Sequence, residues 1–246
     1  MIKFRSLIQR NILFAATRLR FKILAFLGIL SGTDFFAILS GTYSTFYKSI
    51  FGITQTEFKQ SFGLIPYSWL YILFGILIIF NDDIIYDLYS ISANLIIKLK
   101  RRSMFVIGKM MTEILFIIVF HLLLILEKMV FIIALHDANE LPSAMQIIYF
   151  GILNLFASIF LCLMFHFFVL LFKNTIFSFI LCLFVIVIGL PFRSHLFPIQ
   201  FMMLSRTHLV PGIVYCLVGS IILFCINILL FHNIDSVSYT HLTLPT

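Results

Sequence analysis

The chain has 246 residues, 62% of them hydrophobic and only 11% charged, with a mean hydropathy of +1.13 and a formal net charge of +7 at neutral pH. A soluble domain is about half apolar and about a quarter charged, so this composition excludes a soluble enzyme, a disordered chain and a soluble nucleic-acid-binding domain. The apolar runs are too long for strands and lack the alternation of a membrane barrel, which leaves helix as the way to satisfy the backbone in lipid. The expected fold class is an all-α membrane protein with six transmembrane helices, an N-terminal interfacial amphipathic helix and a cytoplasmic amphipathic helix.

In chain order, residues 1–20 (MIKFRSLIQRNILFAATRLR) gather Phe4, Ile8, Ile12, Ala15 and Leu19 on one side of a helix. Lys3, Ser6, Gln9, Arg10, Thr17 and Arg20 fall on the other. Such a segment lies along a membrane surface; the plainer alternative is a basic leader that only sets topology. The first span follows, from about Phe21 to Ser40, and is read as an uncleaved anchor because no small-residue cleavage site succeeds it. Asp34 interrupts it beside Ser31, Gly32 and Thr33. A charge at that depth costs about 2.5–3.5 kcal/mol unless paired or hydrated. Asp34 is therefore either a substrate-path residue or the outer end of the span.

The second span runs from about Leu64 to Phe80 and leads into Asn81 to Ser103, expected to be cytoplasmic. There Ile84, Leu88, Ile91 and Leu95 recur at helical spacing, with Asp83, Asp87, Asn94 and Lys98 on a neighbouring side. The acidic start and basic end match the helix macrodipole. A helix of this kind either rests on lipid or docks in another protein's groove.

The third span, Met104 to Leu126 with room to slide toward Leu135, opens on the charges Lys98, Lys100, Arg101, Arg102 and Lys109. Gly108-Lys109 is not a phosphate loop. That loop needs a glycine five places before its second glycine and a hydroxyl after the lysine, and Ser103 and Met110 stand there. The charges are read as topological, with Arg102 and Lys109 snorkelling to headgroups. Positions 113, 117, 120, 124 and 127 share a face, so Glu113 and Glu127 are expected to point into the bundle, with His121 near its edge; Glu113 and His121 join Asp34 as a candidate substrate path, a proton relay being a further possibility. Glu127-Lys128 reads as the outer interface.

Spans four to six are expected at Ile147 to Phe172, Ile176 to Phe192 and Gly212 to Phe231. Between the last two, residues 193–210 are too apolar for a free loop and too short to cross, which suggests a re-entrant or interfacial element on the outer side. His195 and His208 lack the i, i+4 spacing of a helical metal site, so no metal is expected. Cys162, Cys182, Cys216 and Cys225 lie in apolar runs and are read as buried thiols. Asn154, Asn174 and Asn227 are expected to hydrogen-bond between helices. Residues 237–246 change character abruptly and are read as a non-native tail, leaving 21–236 as the membrane domain. Of the seventeen Lys and Arg, twelve fall on the side of the N-terminus and five on the other, so both termini are expected in the cytoplasm, against anionic lipid.

The passage NDDIIYDLYSISANLIIKLKRRSMFVIGKM, together with the basic N-terminal helix and six spans, resembles the permease subunits of type-2 ABC transporters. Arg102, Ser103, Gly108 and Lys109 match that family's turn and helix start, and Phe105 stands near its usual aromatic position. The architectural likeness covers nearly the whole chain; the sequence likeness is confined to this passage. The resemblance implies a coupling helix at 82–103, with Asp82, Asp83, Asp87, Leu88, Ile91, Lys98, Arg101 and Arg102 seated in a cleft of a separate ATP-binding subunit. It also implies a second permease copy or sister permease, and ATP and Mg bound only through the partner. Small permeases of this build in the plasma membrane of Gram-positive bacteria often belong to exporters that give immunity to bacteriocins or lantibiotics. The competing expectation is a stand-alone membrane enzyme or immunity protein acting on a lipid-linked substrate, for which the chain offers neither a paired-Glu nor a H-E-x-x-H motif.

Overall fold

The computed structural model describes residues 4–40, 43–60, 67–86, 102–134, 142–192 and 198–233. Among them the chain is helical throughout, without strands: α1 (Phe4–Leu39), α2 (Tyr43–Phe51), α3 (Gln55–Gln60), α4 (Tyr67–Tyr86), α5 (Arg102–Ala134), α6 (Ala144–Phe172), α7 (Thr175–Ile188), α8 (Ile199–Met202) and α9 (Leu209–Asn233). Four of these, α1, α5, α6 and α9, are long and apolar enough to cross a bilayer. The apolar parts of α4 and α7, Trp69–Ile79 and Thr175–Ile188, are shorter than a full crossing needs. Four of the six expected spans thus stand as full-length helices.

The boundary expected at residue 20 is absent, because α1 runs unbroken through 36 residues. No glycine or proline occurs in it before Gly28, so nothing stops the helix where the composition changes. At about 1.5 Å per residue it is about 54 Å long, well beyond a hydrocarbon core of about 30 Å. The excess falls to the end carrying Arg10, Arg18 and Arg20. Nor is that end a helix resting only on lipid: Leu7 is buried in a small core with Phe105, Val106 and Met110 of α5, Leu163 of α6 and Phe231 of α9.

The central helix is α6, which packs against α4, α5, α7 and α9. It starts at a capping box, in which Gln146 N–H donates to the Ser143 hydroxyl at 3.3 Å and Ser143 N–H to the Gln146 side chain at 2.8 Å. It ends at Lys173, in the left-handed region at φ 54°, and Asn174 then caps α7 by accepting from Phe177 N–H at 3.0 Å. Two residues thereby reverse the chain and lay α7 back along α6. Asn174 is a cap and not the interhelical bridge expected. Asn154 donates to Phe150 O in its own helix, while Asn227 does cross, from α9 to Leu163 O of α6 at 2.9 Å.

Close approach is made by small residues. Gly75 lets the Phe26 ring of α1 lie against the α4 backbone, where Phe26 also stacks on Tyr71 at 4.2 Å, and Gly151 does the same for Ile125 between α5 and α6. The α2 helix is also part of the bundle: Phe46, Ile50 and the following Ile53 are almost fully buried. Outward faces are apolar, with Phe36, Ile133, Val210 and Leu229 at least 64% exposed, as suits lipid contact.

Candidate functional site

A bundle in lipid gains little from the hydrophobic effect between its helices, so its buried polar groups mark where sequence was held for another reason. Three of them, Glu113, His121 and Lys128, share one face of α5. Glu113, Ile117, Phe120, His121, Leu124 and Lys128 are all buried, so this face turns inward against α1 and α6. Glu113 and Lys128, fifteen residues apart, are separated by about 22 Å along the helix. They anchor two distinct polar clusters.

At the end where α1 and α5 both terminate, the fully buried Lys128 ammonium pairs with Asp34 of α1. Glu127 Oε2 lies 3.7 Å from the same ammonium, and the Phe46 ring of α2 sits 5.2 Å from it. One cation is thus shared by two carboxylates and faces an aromatic ring, a cation–π arrangement strengthened by desolvation. Lys128 is not the outer-interface residue expected. The inward face extends past Leu124 to take in Lys128, and Glu127, one residue earlier, falls at its margin. Asp34 is 4% exposed and ion-paired, so it is an interior residue and not merely the end of a span.

Toward the start of α5, His166 Nε2–H of α6 donates to Glu113 Oε2 at 2.5 Å, and Cys162 Sγ approaches the same oxygen at 3.8 Å. Lys109 Nζ is 3.9 Å from Glu113 Oε1. Lys109, expected to snorkel outward, is only 12% exposed at its side chain and leans along the helix to Glu113 one turn on. Between the clusters, His121 Nδ1 lies 2.9 Å from Ile117 O and Nε2 lies 3.2 Å from the Ser158 hydroxyl. A carbonyl only accepts, so Nδ1 carries the proton, and in the neutral ring Nε2 accepts from Ser158.

Sequence reasoning brought Asp34, Glu113 and His121 forward as one group; Asp34 falls in one cluster, Glu113 in the other and His121 between them. It passed over Lys128, His166 and the role of Cys162. The signal for the last two was present: Cys162 and His166 are spaced i, i+4 on one helix and so share a face. Cys225, expected to be buried, is exposed on α9.

Asp82 and Asp83 lie in the last turns of α4, and Arg102 opens α5. Asp87, Leu88, Ile91, Lys98 and Arg101 fall outside the described residues, as do His195 and the tail at 237–246. Of the element expected at 193–210, the described part is the single turn α8 and the loop after it. Arg206 there donates from Nε to Ile53 O at 3.0 Å and from Nη1 to Leu190 O at 2.9 Å, tying three connections together. Burial pulls its guanidinium below the usual arginine value. Gln200 adds a bond to Gly189 O at 3.0 Å.

An apolar cavity of about 660 Å³ opens between α1, α4 and α7, lined among others by Leu30, Tyr71, Phe74, Ile78, Phe179 and Leu183. No protein-family model, curated protein or solved structure matches this chain.

Proposed function

We propose that the chain is the membrane-spanning permease subunit of an ABC exporter, carrying a hydrophobic or amphipathic substrate such as a peptide, lipid or drug on ATP hydrolysed by a separate subunit. In this reading α1, α4, α5, α6, α7 and α9 are the six crossing segments, α4 and α7 completing theirs with flanking residues. The single observation that carries the reading is the apolar cavity between α1, α4 and α7. Its volume lies in the range of sites that enclose a drug-sized ligand, and its wall offers almost no polar group, as a hydrophobic cargo requires. It lies among the first, second and fifth of the proposed spans, those that would tilt at the contact between two permease copies.

The lever is the segment from Asp82 to Ser103, with Asp82, Asp83 and Asp87 acidic and Lys98, Arg101 and Arg102 basic. An ATP-binding partner would push on it between α4 and α5, whose adjoining ends are covalently continuous with it. α5 carries both polar clusters and so would transmit a tilt along the inner face of the bundle. The chain holds no phosphate loop of its own, which fits a driven subunit.

The test is co-purification with a phosphate-loop ATPase encoded beside this gene. Association is expected with the natural chain and lost when Asp83 and Asp87 are both changed to Lys. Unchanged association after the charge reversal would contradict the lever.

A further inference from the structure

We propose that Glu113, Cys162 and His166 form a binding site for a divalent transition-metal ion of the zinc type, inside the bundle between α5 and α6. The donor set is a thiol, an imidazole and a carboxylate, and their ligand atoms all lie within 4.8 Å of one another. Cys162 and His166 project from one face of α6, one turn apart, and Glu113 meets them from α5, so two packed helices hold the set. A tetrahedral ion with bonds of about 2.0–2.3 Å keeps its ligand atoms about 3.3–3.7 Å apart. The Cys162–Glu113 separation of 3.8 Å is already close to that, and the His166–Glu113 pair at 2.5 Å needs to part by about 1 Å.

A second observation points the same way. Glu113 Oε1 is buried and accepts no hydrogen bond, the Lys109 ammonium standing 3.9 Å away, so this carboxylate keeps a ligand atom without a hydrogen bond in a place where orphaned oxygens are costly. A divalent cation held by one thiolate and one carboxylate is neutral with those ligands, which leaves the Lys109 ammonium, 3.9 Å from Glu113 Oε1, as the remaining charge of the cluster. Loading releases the thiol proton, and the Nε2 proton of His166 leaves or moves to Nδ1 so that Nε2 can bind. Three protein ligands leave the fourth position of the ion open, the pattern of sites that exchange a ligand. The site does not depend on the proposed ATPase partnership, since none of its residues belongs to the 82–103 segment.

The experiment uses the full-length chain, free of any affinity tag, in detergent micelles, titrated with cobalt(II) and then with zinc. The expected result is one cobalt per chain with a thiolate-to-cobalt charge-transfer band and the visible bands of a tetrahedral centre, both erased by zinc. Cys162→Ser is expected to lose the charge-transfer band, and His166→Ala or Glu113→Gln to weaken binding by more than about tenfold. Absence of the thiolate band in the natural chain overturns the proposal without recourse to any variant. So does a band of full strength in Cys162→Ser with native helix content by circular dichroism. Either result leaves a Glu113–His166 hydrogen bond as the whole purpose of the cluster, and neither bears on association with an ATPase.

Discussion

The two polar clusters on α5 are alike in burial and opposite in design. At Lys128 a single cation is shared between Asp34 and Glu127, two carboxylates on different helices, and faces the Phe46 ring. At Glu113 the carboxylate faces a titratable ring and a thiol and keeps one oxygen without a hydrogen bond. The first ties α1 to α5 through opposite charges, although both Glu127 oxygens are buried without a hydrogen bond. The second holds donors that a small ion would complete. Burial of charge in a bundle can thus serve cohesion at one depth and binding at another, and what distinguishes the two is the chemistry of the partners: a fixed cation among carboxylates at one, a thiol and an imidazole beside a carboxylate at the other.

The sharpest way to break the comparison is at Lys128. Lys128→Met leaves Asp34 without its cation and is expected to cost about 3–5 kcal/mol. The check is thermal unfolding in detergent. Adding Asp34→Asn removes one of the two stranded carboxylates, Glu127 being the other, and is expected to restore part of that loss, the coupling being read from a double-mutant cycle. At the other cluster, Glu113→Gln exchanges a charged acceptor for a neutral one of the same shape. Its cost to stability is expected to be about 1–2 kcal/mol, smaller than at Lys128, by the same unfolding measurement.

The helices themselves were legible because hydropathy runs on for whole turns, while the capping box of Ser143 with Gln146, an equally local signal, went unread. The extent of α1 was not. A change of composition at residue 20 looked like a boundary, but no residue there opposes helix, and propagation is easy once a helix is nucleated. The inward face of α5 was found to within about one residue. That margin exchanged Glu127 for Lys128, because neighbouring positions on a helix point about 100° apart. Asp34 stood out as a lone acid in an apolar run, yet its partner is ninety-four residues away, beyond any periodicity. The metal-type triad was half visible in the Cys162 and His166 spacing, but the third donor is supplied by packing between helices. The α2 helix went unassigned because its buried side, Phe46, Ser49 and Ile50, spans too few turns to stand out in a chain this apolar.

Packing gives a prediction of middle size. Gly151→Val places two methyl groups where Ile125 already lies, and overpacking of this kind is expected to destabilise by about 1–3 kcal/mol in the same assay. At the turn between α6 and α7, Lys173→Gly relieves a left-handed backbone that disfavours side chains. It is expected to raise stability by up to about 1 kcal/mol, the one gain in the series.

The smallest effect is expected at α3. Burial raises the Glu57 carboxyl, but the Thr54 N–H and hydroxyl and the charge of Lys48 together hold it below the usual carboxylate value. A lowered value in the folded chain means the contribution is complete above the ordinary carboxylate range and is lost as pH falls through the folded value. Hydrogen-exchange protection of the α3 amides, corrected for intrinsic rates, is expected to fall on acidification in the natural chain. In Glu57→Gln it is expected to be lower at neutral pH and flat.

The most direct measurement is ATP-dependent movement of an amphipathic peptide across liposomes that contain the purified chain, with and without the ATPase encoded beside it. Hydrolysis and movement are expected only when both proteins are present, and are expected to vanish with Asp83→Lys and Asp87→Lys together. Hydrolysis of ATP, or turnover of any substrate, by this chain in isolation would contradict its place as a driven permease.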